Sequence, residues 1–228
     1  MADRPILFSG PMVLALIDGR KTETRRIIKS QPPEKTTCAG FFSTGMFGWM
    51  AGDPAHLETW EFLGDFKTPF MVGDRMYVRE TLACCTDWGL FYDAHGGIGP
   101  SEKHFLRDER AAAIVERYSR DDETLWNVPS IFMPRWASRL TLTVTDVRVE
   151  RLQDISEADA KAEGVEQDSD GWRDYLMPHT QCCATAKESY RTLWDSINGK
   201  GSWDANPWVV AYSFTVHHGN IDQIARAA

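Results

Sequence analysis

The spacing of apolar and polar residues changes several times along the chain. In residues 9–19, SGPMVLALIDG, the apolar Met12, Val13, Leu16 and Ile17 recur at helical intervals. Gly10 suits the cap, Pro11 the first helical position and Gly19 the stop. The following KTETRRII alternates and carries β-branched residues, which predicts an extended segment with Thr22, Thr24 and Arg26 on one side and Glu23, Arg25 and Ile27 on the other. Lys21 falls at the junction. Residues 30–70 hold Pro32-Pro33, many glycines and scattered aromatics without a sustained period, and read as a long irregular insertion. VGDRMYVRETLA predicts a half-buried strand with Met76 and Val78 on one face, and residues 83–130 a second insertion with one amphipathic helix near Lys103–Tyr118.

The clearest strand is RLTLTVTDVRVER, residues 139–151, where Leu140, Leu142 and Val144 face one way. ISEADAKAEGV then has the spacing of a capped helix, Ser156 with Asp159 three residues on and Gly164 as the stop. A third insertion spans 165–185. AKESYRTLWDSING puts Tyr190, Leu193, Trp194 and Ile197 on one helical face, and PWVVAYSFTV closes the chain as a strand. Helices placed this way do not form regular βαβ crossovers. The order predicts an α+β fold, a small mixed β-barrel flanked by helices, built as a single domain over 1–228 with insertions at about 30–70, 83–130 and 165–185.

Composition narrows the classes. An apolar fraction of 43% with nine Trp supplies a core and excludes a disordered chain. The net charge of −8 argues against a protein that grips nucleic acid through a broad positive field. No window reaches the roughly 18 apolar residues of a membrane span, and the N-terminus has no long apolar stretch, so a cytoplasmic protein without membrane contact is expected. Cys38 and the adjacent pairs Cys84-Cys85 and Cys182-Cys183 do not resemble a secreted disulfide framework and read as mostly reduced thiols.

The charge is unevenly distributed. Residues 19–29 carry five basic side chains against one acidic, a net +4, which leaves −12 on the rest of the chain. One reading is an anion or nucleotide site where Lys21 and Arg26 converge with the Thr24 hydroxyl; the other is a solvated basic edge that discourages strand pairing. Glu163 lies in the last turn before Gly164, where the helix dipole disfavours a carboxylate by about 0.3–1 kcal/mol. It either faces a cationic partner across the fold, with Lys21 as the candidate, or sits exposed on a frayed end.

Gly-Arg-Lys-Thr-x-Thr-x-Arg after a short helix, then Gly73-Asp74-x-x-x-Val78-x-Glu80, a long strand, a Ser-initiated helix ending in Glu and a closing strand together resemble the ASCH domain (activating signal cointegrator homology). The resemblance covers about half of the chain. It extends to MPRWASRLTL, a segment carried by longer bacterial and phage-type members. It implies a PUA-like β-barrel, and it implies the activity of the compact members that hydrolyse N4-acetylcytidine to cytidine and acetate with a Lys, a Thr and a Glu. Carried over by motif, those residues become Lys21, Thr24 and Glu163. Arg26 then anchors the oxyanion or substrate, and Glu80 and Trp136 become substrate-binding candidates. The compact hydrolases are about half as long as this chain, so the insertions would either close a pocket over a nucleoside or block it.

Such chemistry needs a nucleophile, a base for its proton and donors for the oxyanion. A lysine serves as base only if burial or a nearby cation lowers its pKa from about 10.4; Arg20, Arg25 and Arg26 are candidates to supply that pressure. A pyrimidine would stack on an aromatic ring. Trp49, Trp60, Trp88, Trp136 and Trp172 lie in or beside loops, and Trp136 is singled out because it sits in the family-like segment, although a buried Trp ordinarily packs a core. His179-x-x-Cys182-Cys183 lacks a repeated Cys-x-x-Cys spacing, so neither a metal nor a cofactor is expected. The sequence therefore points to an amidohydrolase of N4-acylated cytosine nucleosides acting on a small nucleoside, with an RNA- or modified-nucleotide-binding module as the alternative.

Overall fold

The computed structural model describes residues 2–42, 45–53, 55–94, 105–119, 125–179 and 182–225. Its elements in chain order are β1 (Asp3–Leu7), α1 (Gly10–Ile17), β2 (Glu23–Ile27), β3 (Cys38–Phe42), β4 (Met46–Ala51), β5 (Glu61–Phe66), β6 (Arg75–Arg79) and β7 (Leu82–Cys85). There follow β8 (Gly89–Tyr92), α2 (Ala111–Tyr118), β9 (Trp126–Val128), β10 (Leu140–Arg151), α3 (Glu157–Ala162), β11 (Gln167–Asp168), β12 (Gly171–Arg173), β13 (Cys182–Cys183), α4 (Ala186–Asn198) and β14 (Trp208–His218). The fold is α+β. One five-stranded sheet has the order β1-β6-β10-β14-β2, and three smaller sheets have three strands each. The large sheet ends at β1 and β2, so among the described residues no closed barrel forms.

The chain divides into two compact units, the first made of residues 1–19, 75–143 and 215–228, the second of 20–74 and 144–214. In the first unit β1 runs parallel to β6, and the start of β10 pairs antiparallel with β6. Helix α1 starts after Ser9, one residue earlier than a Gly10 cap would give, with Pro11 in its first turn and Met12, Val13 and Leu16 buried. Gly19 ends the turn at φ +73°, a left-handed conformation suited to glycine. A second core gathers Leu82, Cys84, Leu90, Val128 and Met133, with Ile114, Val115 and Tyr118 of α2 packed against it.

In the second unit β2 pairs antiparallel with β14, Thr24 opposite Tyr212 and Arg26 opposite Val210. Sheet β3-β4-β5 turns Phe47 and Trp49 inward, where Trp49 stacks on Phe66 at 4.1 Å and meets Trp208 edge-on at 5.3 Å. Both helices of this unit are capped. Ser156 Oγ accepts from the Asp159 amide at 3.0 Å, and Thr185 with Glu188 forms a capping box. The Glu157 carboxylate accepts from the Ala186 and Lys187 amides at 2.8 and 3.0 Å, placing a negative charge at the N-terminus of α4 and fixing α3 against it.

Several expectations change. Residues 30–70 are not irregular: they form β3, β4 and β5, a sheet hidden from a period-two reading because Phe41-Phe42 are adjacent apolars and Gly40 pairs with Gly48. The 83–130 insertion holds β7, β8 and β9, strands of three or four residues and too short to show a period, and its helix begins at Ala111. Lys103 and His104 lie outside the described residues. The 165–185 insertion carries the short sheet β11-β12-β13. Strand β6 is buried on both faces rather than one: Arg75 and Tyr77 are covered along with Met76 and Val78, while β1 and β10 pair with its two edges. On α4, Tyr190, Leu193 and Trp194 are buried as predicted, but Ile197 is 63% exposed. After Asn198 the chain turns at Gly199 and folds back onto Asp195, which leaves the last turn open on the Ile197 side.

Candidate functional site

The basic segment enters the second unit beside the end of α3. Glu163 is the residue that caps α3 at its C-terminus, and Gly164 follows at φ +87°. A carboxylate there opposes the helix dipole, and cations from β2 and the turn before it offset that. Lys21 forms an antiparallel bridge with Glu163, and the Thr22 amide donates to the Ala162 carbonyl at 2.8 Å, so backbone pairing delivers the two side chains to each other. Lys21 Nζ donates to Glu163 Oε2 and to the Glu163 carbonyl, both at 2.7 Å. The two residues are 2% and 3% exposed. Glu163 is thus neither frayed nor solvated.

The other oxygen of Glu163 is also occupied. Its Oε1 accepts from Arg25 Nη1 and from the Tyr190 hydroxyl, each at 3.3 Å. Arg25 is the centre of a buried ion cluster with Glu23 Oε1 at 2.6 Å, Glu150 Oε1 at 2.7 Å and Asp159 Oδ2 at 3.3 Å. Arg148 and the Ser213 hydroxyl hold Glu23 from its far side, each at 2.9 Å. A guanidinium suits this role, because its planar donors reach several carboxylates at once and it stays charged when buried.

These surroundings shift the ionisations. Burial lowers the Lys21 pKa from the usual lysine value; the Glu163 charge works against that, and Arg26 and Arg25 reinforce it. Burial raises the Glu23 carboxyl, only partly countered by Arg25, Arg148 and Ser213. Burial works against the Arg25 charge, but Glu163, Glu23 and Glu150 outweigh it, so Arg25 remains a cation. Tyr190 is pushed well above the usual phenol range by burial and the Glu163 charge, so its hydroxyl stays a donor.

Thr24 is 1% exposed, and its Oγ1 accepts from Arg26 Nη1 at 3.0 Å. Strand alternation puts Thr24 and Arg26 on one face of β2 and Glu23 and Arg25 on the other. Lys21 shares Glu163 with Arg25, and the charges of Lys21 and Glu163 are also felt by Arg26. The structure joins Lys21 with Glu163 and Thr24 with Arg26, as two pairs. Arg20 Nη1 also donates to the Gly164 carbonyl at 3.0 Å, which ties the turn after α3 to the start of the basic segment.

Glu80 and Trp136 belong to the first unit, where they have other work. Glu80 is 1% exposed and takes both of its oxygens to Arg139, at 2.8 and 2.7 Å, while Arg139 lies over the Tyr92 ring at 4.0 Å. Arg110 covers a face of Trp136 at 4.6 Å, where a base would otherwise stack. Among the other tryptophans, Trp49 is buried in a core, Trp88 is exposed and Lys161 sits over Trp172 at 5.5 Å.

Sequence reasoning missed Glu150, Asp159 and Tyr190 as partners in the site, and it named Arg25 as a cation pressing on Lys21 but not as the centre of a carboxylate cluster. The opposite charges of Glu23 and Arg25, two apart on one strand face, were a usable local signal. Glu150 gave none, Asp159 read as a capping residue and Tyr190 as core. Among the described residues, no group of three or more His, Cys, Asp or Glu side chains is arranged to hold a metal ion, and no helix is long and apolar enough to cross a membrane. No family model matches the chain, and neither the curated proteins nor the solved structures provide a match.

Proposed function

We propose that the chain is an amidohydrolase that removes the acyl group from N4-acylated cytosine nucleosides, on a PUA-like scaffold of the ASCH type. The observation that carries this reading is the buried Lys21–Glu163 pair at 2.7 Å, with Thr24, whose hydroxyl is held by Arg26, three residues further along the same segment. Burial lowers the Lys21 pKa, which favours the neutral amine that a general base requires. In the reaction the neutral Lys21 amine takes the Thr24 hydroxyl proton as Thr24 Oγ bonds to the acyl carbonyl carbon. The Lys21 ammonium, held by Glu163, then returns that proton to the departing N4 amine as the carbon–nitrogen bond breaks. Water, deprotonated by the neutral lysine, cleaves the acyl-threonine ester to release the acid and restore Thr24. Arg26, bonded to Thr24 Oγ1, places positive charge where the oxyanion develops.

This chemistry requires Lys21 Nζ to reach Thr24 Oγ directly or through one water once substrate is bound. Because both residues are nearly inaccessible, a neighbouring segment must yield to admit the nucleoside. An RNA- or nucleotide-binding module draws less support, since Lys21 and Arg25 direct their charge to Glu163, Glu23, Glu150 and Asp159 rather than outward.

The test is incubation of the purified chain with N4-acetylcytidine, followed by the ultraviolet change on conversion to cytidine. Turnover by the wild type that drops by about 100-fold or more in Lys21→Ala and in Glu163→Gln is expected. Absence of wild-type turnover, or variants as active as the wild type, overturns the reading.

A further inference from the structure

Glu163 has a single carboxylate and three side-chain donors. Lys21 takes Oε2 at 2.7 Å, whereas Arg25 and Tyr190 both address Oε1 at 3.3 Å. The three donors come from different elements: Lys21 from the turn before β2, Arg25 from β2 and Tyr190 from α4. Arg25 and Tyr190 do not add to the contact at Oε2, which is made by Lys21. Their geometry instead fixes which oxygen faces which partner and prevents rotation of the carboxylate. Arg25 is itself immobilised by Glu23, Glu150 and Asp159, and Tyr190 by its place on the buried face of α4, so both donors are rigid.

We propose that Tyr190 and Arg25 are positioning residues for the Lys21–Glu163 pair: by holding Glu163 Oε1 they leave Oε2 to Lys21 Nζ in one geometry. The inference rests on the hydrolase reading for its catalytic meaning, but its geometry is testable without turnover.

The electrostatic consequence has a definite sign. Lys21 is faced by Glu163 from the end of α3 and by Arg25 and Arg26 from β2, and Tyr190 of α4 meets it only through Glu163. Behind Arg25 stand Glu23, Glu150, Asp159 and Arg148, and Tyr212 of β14 acts on Arg26. A hydroxyl donating to Oε1 disperses the negative charge of Glu163. Without it the carboxylate binds the Lys21 ammonium more strongly, and Lys21 releases its proton at higher pH.

The experiment uses the full chain with lysines labelled at the side-chain ε-carbon, the Lys21 resonance being identified by its loss in Lys21→Arg. Its titration midpoint is compared between wild type and Tyr190→Phe, alongside the pH dependence of kcat on N4-acetylcytidine. In Tyr190→Phe the midpoint is expected to move up, the rising limb of kcat to move up with it, and kcat to fall by about tenfold with KM within about twofold. An unchanged midpoint and limb, with only a lower melting temperature, would make Tyr190 a packing residue and overturn the proposal. If the wild type shows no turnover, the hydrolase reading fails while the midpoint still decides the positioning role. If turnover is present but the midpoint stays put, the reading stands and the proposal falls. Should Tyr190→Phe not fold, Arg25→Lys, which keeps the charge but loses the Nη1 contact, carries the same comparison and the same expected direction.

Discussion

Replacing Arg25 by methionine tests whether the buried ion cluster holds the second unit together. The change keeps most of the side-chain volume and removes a charge that Glu23, Glu150, Asp159 and Glu163 all share. The Arg25 side chain is 0% exposed, so water cannot take its place without opening the site. Removing one partner of a buried pair is destabilising by about 3–5 kcal/mol, because it leaves uncompensated buried charge. Glu150 and Asp159 are partly exposed and regain hydration, which favours the lower half of that range. For a chain of this size each kcal/mol lowers the melting temperature by about 2–4 °C, so a fall of about 6–16 °C is expected.

The pH dependence gives a second check. The Glu23 carboxyl is already raised by burial, and loss of Arg25 raises it further. A carboxyl with a raised folded pKa binds its proton more readily in the folded chain than in the unfolded chain. Its destabilising effect is therefore absent below the unfolded pKa and develops as pH rises through the folded value. The deficit of Arg25→Met, read by urea unfolding from pH 4 to 8, should grow with pH. A melting temperature within a degree or two of wild type at pH 7, or a deficit that grows on acidification, would refute the reasoning.

Two further substitutions probe other parts of the fold. Arg139→Ala removes the bidentate guanidinium from the buried Glu80 carboxylate and should cost about 3 kcal/mol in thermal unfolding, with much of it recovered in the double variant Arg139→Ala, Glu80→Gln; strict additivity would show that the pair is not coupled. Asp195 works against its own burial by accepting from the Trp203 amide, the Ser202 hydroxyl and the Gly201 amide, which lower its pKa. Asp195→Ala should lose about 1–2 kcal/mol at pH 7. That difference should persist above the ordinary carboxylate pKa and shrink as pH falls through the depressed folded value; a difference independent of pH between 2 and 7 would argue that packing, not charge, is what was removed.

How far the sequence was legible depended on whether the signal was local. Helix α1 and its Gly19 stop, the Ser156 cap, Gly164, the long strand β10 and the closing strand β14 were all readable, because caps, left-handed glycines and long alternating runs are set by neighbours in the chain. The sheet β3-β4-β5 was not, since strands of five or six residues rich in glycine and adjacent aromatics carry no clean alternation and take their identity from pairing. Within the site, the sequence by itself marked Lys21, Thr24, Arg26 and the anomalous Glu163 at a helix end. It also fixed a net +4 in residues 19–29, which on its own suited either an anion site or an exposed edge. Only the tertiary structure decided where that charge is directed. It bridges Lys21 to Glu163 and directs Arg25 inward onto four carboxylates, and it sends Glu80 to Arg139. Partners such as Arg25 and Glu150, 125 residues apart, leave no trace in local periodicity. Charge composition is a property of a segment, whereas the direction in which that charge acts is decided by the distant side chains that folding brings against it.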